Sequence, residues 1–353
     1  MNILIVEDDT AIREGVAEFL KENGTIGLVA PSYGCNIEPY RSAFQNALQK
    51  WNKLGVSCKV GSNCYAGDGI GISSTPKKCG EEINTFFADA DVDTIISCGG
   101  GELMCEILDH VDFEKLACET PKWYMGFSDN TNLTFLLPTL CDTASIYGPC
   151  APAFGMEPWH EAIADAWEVL QGKKTKVSGY ALWEKESKKD EEHPLEPYHV
   201  TEPTIIKRYP DQDAVMSGRV LGGCLDCLGR LVGTKFDQVK AFTKRYQEDG
   251  IIWYLEACDL NVMDIRRALW QLDHAGWFET AKGFLIGRPL QGEELFGLDR
   301  YQAVTGALEK YQVPIWMDLD LGHIPPMMPM INGVKATACM EKGRVKITYD
   351  FSD

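Results

Sequence analysis

The chain has 353 residues, 45% of them hydrophobic, enough for two domains or one large one with full cores. Its formal net charge of −18 argues against nucleic acid as a partner, because phosphate binding needs a basic face. No run approaches the roughly 20 apolar residues of a membrane span, and the start lacks the basic region and small-residue cleavage site of a secretion signal. The expectation is a cytoplasmic protein with neither membrane nor nucleic acid as partner.

Residues 1–23 read as a strand, an acidic turn and an amphipathic helix. This opening resembles that of a response-regulator receiver domain, in which an acidic pair, here Asp8 and Asp9, helps bind Mg²⁺ beside a phosphoacceptor aspartate. The next strand supplies no such aspartate, since Gln49-Lys50-Trp51-Asn52-Lys53 stands where it is due. Residues 1–23 are therefore expected to be a leader and not a working receiver.

From Thr25 the pattern changes to alternating strands and helices. Thr25 to Ser32 is an apolar strand ending in a turn, Ile37 to Leu54 a helix, and Val56 to Val60 a short strand. A glycine-rich loop, Tyr65 to Ser74, leads to a helix around Lys77 to Ala90. The strand Thr94 to Ser97 then runs into Cys98-Gly99-Gly100-Gly101. Another apolar run, Trp123 to Met125, precedes Gly126-Phe127-Ser128-Asp129-Asn130 and a helix-like run, Thr131 to Leu140. This alternation predicts an α/β fold with a largely parallel sheet, whose chemistry gathers at the carboxyl ends of the strands.

Residues 151–217 are punctuated by prolines and carry a charged run, Glu184 to Glu192. They read as a linker and a polar insertion whose aromatic residues, Tyr180, Trp183 and Tyr198, are either a substrate-covering flap or ordinary packing. A second unit, 218–353, opens with Val220-Leu221-Gly222-Gly223 and a helix to Leu231. It continues with the strand Ile251 to Leu255 ending at Glu256, two helices with two strands, and a closing hairpin, Lys335 to Met340 and Arg344 to Tyr349. The 24–150 segment is expected as the first domain.

The 13 cysteines lie mostly in apolar contexts and read as reduced and structural. Cys224-Leu225-Asp226-Cys227 has no second pair nearby, so no metal site is expected there.

A serine at a sharp strand-to-helix turn has its hydroxyl exposed beside the N–H groups that start the helix, a geometry suited to a nucleophile and its oxyanion. Ser128 fits, with Asn130 where a second glycine would complete Gly-x-Ser-x-Gly. A plain helix N-cap is the commoner use of such a serine. The wider pattern favours chemistry: serine hydrolysis needs a base and an orienting carboxylate. Among six histidines, only His323 follows an apolar strand, in Gly322-His323-Ile324-Pro325-Pro326. Glu256 ends another, where a charge needs a partner.

The chain resembles the LD-carboxypeptidase family of serine peptidases, which includes microcin C immunity hydrolases. The resemblance spans roughly Gly24 to Phe351. It rests on Thr25 to Ser32, Gly99-Gly100, Gly126 to Thr131, Gly218 to Leu225, Leu255-Glu256 and Gly322 to Pro326. It implies an N-terminal α/β domain and a smaller β-rich C-terminal domain, with the site in the cleft between them. It also implies Ser128 as nucleophile, His323 as base and acid, and Glu256 as the residue orienting His323. Backbone N–H groups of Gly100 and Asp129 would form the oxyanion hole, with Gly99, Gly101 and Trp183 binding substrate. No cofactor or metal is implied, and family members commonly pair as homodimers. Where the carboxypeptidase branch carries an arginine before the paired glycines and an aromatic after them, this chain has Cys98 and Gly101. The implied substrate is an L,D-peptide bond in a murein peptide, releasing D-alanine. The alternative is a peptidyl or aminoacyl nucleotide, and a further one is a degenerate hydrolase serving as a signalling module.

Overall fold

The structure, a computed structural model, describes residues 19–351. The acidic pair Asp8 and Asp9 of the receiver-like opening lies outside the described residues. Leu20, at the end of that opening, is buried and its N–H bonds to Leu170 O at 3.0 Å.

In chain order the first strands are β1 (Thr25–Val29), β2 (Ser57–Val60), β3 (Thr94–Ser97), β4 (Trp123–Gly126) and β5 (Ser145–Tyr147). Next come β6 (Lys176–Ser178), β7 (Leu182–Glu184), β8 (Val200–Pro203), β9 (Lys207–Tyr209) and β10 (Val215–Cys224). The remainder are β11 (Ile251–Glu256), β12 (Ala281–Gly287), β13 (Ile315–Leu319), β14 (Met330–Asn332), β15 (Lys335–Glu341) and β16 (Arg344–Asp350).

They form two large sheets. The first, in the order β14-β5-β4-β3-β1-β2, is parallel except for β14. The second has the order β6-β16-β15-β10-β11-β12-β13-β9, with β10 to β13 parallel at its centre. Parallel strands covered on both faces read as continuous apolar runs, and both β3 and β11 are buried at every position. The fold is thus α/β in two parts, as expected.

Three features differ from the sequence expectation. The helix expected over Thr131 to Leu140 is broken into Thr131–Thr134 and Leu136–Cys141. Pro138 has no N–H to give Thr134 O, and that carbonyl accepts instead from Ser145 Oγ and from Asn332 Nδ2, the latter at 3.0 Å. The segment read as linker and insertion supplies edge strands β6 and β9 to the second sheet, and its β7–β8 pair forms a small sheet of its own. Finally, β14, far down the chain, returns to the edge of the first sheet.

Candidate active site

The two sheets bring their carboxyl ends together. Ser128 follows β4, and its φ of 64° puts it in the left-handed region. Few residues other than glycine adopt that conformation, and it holds the hydroxyl out of the turn. Gly126 must be glycine because a Cβ there would lie 2.8 Å from Asn130 Cγ. Asn130, the departure from Gly-x-Ser-x-Gly, has its own task. Its amide donates to Gly99 O at 2.7 Å and Phe127 O at 3.0 Å, tying the turn to the neighbouring glycine loop.

Ser128 Oγ lies 2.8 Å from His323 Nε2, and His323 Nδ1 lies 2.9 Å from Glu256 Oε2. Glu256 is 1% exposed. Gly322, with φ +88°, lets the His323 loop pass over it, since a Cβ there would meet Glu256 Oε2 at 2.2 Å. Phe127 packs against the imidazole with ring centroids 5.2 Å apart.

The electrostatics are those of an ion pair. Burial works to keep the imidazole neutral, but the Glu256 charge and hydrogen bond outweigh it, aided by Cys258, and His323 is raised above its ordinary value. Burial likewise pushes the Glu256 carboxyl up. The charge and hydrogen bond of His323, with hydrogen bonds from Tyr147 and Cys224, more than reverse this and hold it below its ordinary value. A hydroxyl, an imidazole and a buried carboxylate in line can move a proton off the hydroxyl.

The glycine loop after β3 closes the site. A Cβ on Gly100 would stand 2.9 Å from Ser128 Cβ and 3.0 Å from its Oγ, so only glycine allows this approach. Gly99 and Gly101 pack as closely on Tyr33 O and Ser32 Oγ. Asp129, expected to serve through its N–H, also uses its buried carboxylate, which accepts from Ser32 Oγ at 2.6 Å and Met104 N at 2.9 Å and fixes the loop beyond the glycines. Trp183 lies on β7, where its ring and the Arg288 guanidinium are 5.4 Å apart. Arg288 pairs with Asp320 and donates to Asp318 O at 2.7 Å, and Glu184 N donates to Pro325 O at 2.7 Å. The hairpin is thus docked on the loop that carries His323.

Sequence reading missed Tyr147. Its hydroxyl accepts from the Ser128 N–H at 3.0 Å and donates to Glu256 Oε1 at 2.5 Å. Burial, then the neighbouring Glu256 charge, push its pKa well up, so it stays a donor. Its position at the end of β5, before Gly148, was the available signal. Tyr147→Phe leaves two buried partners unsatisfied, which costs about 1–3 kcal/mol. The expected result is a kcat reduced roughly 10- to 100-fold with KM little changed, read by steady-state kinetics.

Known proteins resemble the chain over most of its length. The LD-carboxypeptidase N-terminal domain model of peptidase family S66 matches residues 26–148, and the C-terminal domain model matches residues 217–338. A putative carboxypeptidase of Treponema pallidum is 25% identical over 313 residues, 87% of each chain. The microcin C7 self-immunity protein MccF of Escherichia coli is 25% identical over 295 residues, covering 79% of this chain and 80% of that one. The solved structure of MccF in complex with glutamyl sulfamoyl guanosine superposes with a TM-score of 0.78 at 20% identity, over 95% of this chain and 98% of that one. With both domain models matched in order across most of its length, the chain belongs to the LD-carboxypeptidase family of serine peptidases and is a hydrolase.

Proposed function

We propose that Ser128, His323 and Glu256 form a triad that hydrolyses an amide through an acyl-enzyme. The observation that carries this reading is the unbroken line of hydrogen bonds from Ser128 Oγ through the imidazole to the buried carboxylate. His323 Nε2 takes the hydroxyl proton as Oγ attacks the carbonyl carbon, and returns it to the leaving amine. Water then repeats the sequence to release the acid. The N–H groups of Gly100 and Asp129 face the developing oxyanion, and Glu256 holds the ring with Nδ1 protonated.

The leading substrate is an L,D-peptide bond in a murein tetrapeptide, cleaved to free the terminal D-alanine. Such a substrate carries a carboxylate, and Lys189 is the cation assigned to meet it. Lys189, on the insertion, is half-buried and has no ion pair among the described residues. Burial, partly offset by Cys35 and Glu184, lowers its pKa. Cys35 in turn donates to Cys98 O at 3.7 Å, next to Gly99. Lys189→Ala is expected to raise KM about tenfold with kcat nearly unchanged, the loss of one charge-assisted contact. Mass spectrometry of the tetrapeptide incubated with the protein tests the reading. Loss of one alanine supports it, and an untouched tetrapeptide with folded protein overturns it.

A second substrate class has its own support. Trp183, with Arg288 5.4 Å from its ring centroid, gives the hairpin docked on the His323 loop an aromatic surface, and MccF has been solved with glutamyl sulfamoyl guanosine. A peptidyl or aminoacyl nucleotide would place its base there. Trp183→Ala is then expected to raise KM for nucleotide amides by about tenfold or more, the worth of one stacked base, and to spare the tetrapeptide. Equal effects on both substrates would remove this reading.

A further inference from the structure

The Cys224-x-x-Cys227 pair takes no part in these hydrolytic steps, yet the fold delivers it to the triad. Cys224 ends β10 in register with Glu256 at the end of β11, so neighbouring parallel strands present both residues at one sheet edge. His323 arrives from the loop after β13. The Cys224 Sγ, a Glu256 carboxylate oxygen and a His323 ring nitrogen all lie within 4.8 Å of one another. Two further thiols are near in sequence: Cys227 lies in the helix Leu225–Leu231 that follows Cys224, and Cys258 stands two residues after Glu256, while Cys224 Sγ itself donates to Asp226 Oδ2 at 3.2 Å. Cys227 Sγ also lies 3.7 Å from Ser128 O. Cys227 and Cys258 are partly exposed, while Cys224 is buried.

We propose that this cluster binds a thiophilic divalent cation of the zinc class, and that the cation inhibits the enzyme by capturing the triad. One sulfur, one nitrogen and one oxygen donor suit zinc, with a fourth tetrahedral position left for water or Cys227; magnesium and calcium want oxygen alone. Bonds of about 2.0–2.3 Å place tetrahedral donors roughly 3.5 Å apart, so a contraction of about an ångström closes the site. The strand register and the Gly322 turn already hold the donors in place, so little ordering cost remains.

The balance involves protons only. The cation forms bonds to Cys224 Sγ, His323 Nδ1 and a Glu256 oxygen, and displaces the protons on the first two. If the ring starts as imidazolium, both protons leave to solvent. If it starts neutral, the thiol proton leaves and the ring proton moves to Nε2. In either case Nε2 ends with a hydrogen aimed at Ser128 Oγ, and the ring can no longer accept the serine proton. The inhibition rests on the assignment of His323 as base; the binding does not.

Cobalt(II), zinc's spectroscopic stand-in, tests the site. It is titrated into the full chain with the exposed Cys105 and Cys118 changed to serine. The expected result is a near-ultraviolet thiolate-to-cobalt charge-transfer band with the strong visible bands of tetrahedral cobalt, saturating at one equivalent and bleached by zinc. Cys224→Ser should weaken cobalt binding at least tenfold. It should weaken zinc inhibition by a similar factor, each variant being scaled to its own metal-free rate, with a chelator restoring activity. Ser128→Ala should keep the spectrum, so an inactive protein does not hide the site. A pale octahedral spectrum without the charge-transfer band overturns the proposal from the unmutated thiols alone, even if Cys224→Ser does not fold. Unchanged affinity in a folded Cys224→Ser also overturns it. Cobalt bound as described while hydrolysis continues would keep the cation site and overturn the base assignment.

Discussion

Ser128→Ala is expected to abolish turnover and leave the fold in place. The substitution removes the one atom that both donates its hydroxyl hydrogen to His323 Nε2 and would bond to the substrate carbonyl. In serine hydrolases the loss of the nucleophile typically lowers kcat by about 10⁴- to 10⁶-fold, the remainder coming from binding and oxyanion stabilisation. The fold should tolerate it because alanine keeps the Cβ that packs against Gly100, and the left-handed backbone at φ 64° suits alanine about as well as serine. The Ser128 N–H still bonds to Tyr147. The midpoint of thermal unfolding should therefore move by only a few degrees, roughly the effect of 1 kcal/mol. Kinetics and calorimetry on one preparation check both halves. Activity within tenfold of the unmutated protein would remove Ser128 from the chemistry.

Glu256→Gln is expected to lower kcat about 10³- to 10⁴-fold and to change the pH profile. An amide in place of the carboxylate no longer fixes the proton on Nδ1, and it takes away the charge that raises His323. In the unmutated protein, hydrolysis needs the neutral ring, so the acid limb of kcat/KM should lie above the ordinary imidazole value of 6.5. In Glu256→Gln only the smaller Cys258 contribution is left to oppose burial, and the limb should move to lower pH.

Stability follows a different course. His323 is raised on folding, so its contribution is complete below 6.5 and is lost as pH rises through the raised value. Glu256 is lowered, so its contribution is complete above 4.5 and is lost as pH falls through the depressed value. The pair therefore stabilises fully between pH 4.5 and 6.5. Above that window the rate should climb while the pair's share of stability declines. A pH series of rates and melting temperatures reads both, and an acid limb that stays put in Glu256→Gln would sever the proposed link between these residues.

Much of this site is written in local sequence. Ser128, Glu256 and His323 each follow an apolar run, and a parallel sheet places such positions at one edge. The hairpin β15–β16 is similarly visible from its turn, Lys342-Gly343. What could not be read depends on which strands become neighbours. Tyr147 is an apolar-looking strand residue until β5 lies beside β4 and its hydroxyl meets both Ser128 and Glu256. Cys224 looks structural until the β10–β11 register sets it opposite Glu256. The break after Thr134 was signalled by Pro138, but the groups that satisfy the freed carbonyl come from Ser145 and Asn332. Trp183 shows the reverse limit: an aromatic in an insertion says nothing about its neighbours, and Arg288 was not foreseen.

The return of β14 to the first sheet also bears on how the two halves of the site are held together. Asn332 pairs with Ser145 in that sheet, while its side chain accepts from Gly222 N of the second at 3.0 Å. Two residues later Val334 O accepts from Val220 N at 2.9 Å, and from Lys335 β15 runs in the second sheet. The polypeptide is stitched from one sheet to the other within a few residues, behind the triad. Halves fastened in this way cannot swing apart like the covers of a book. Ser128 follows a strand of the first sheet and Glu256 ends one of the second, so this crossing helps the reacting atoms keep their spacing.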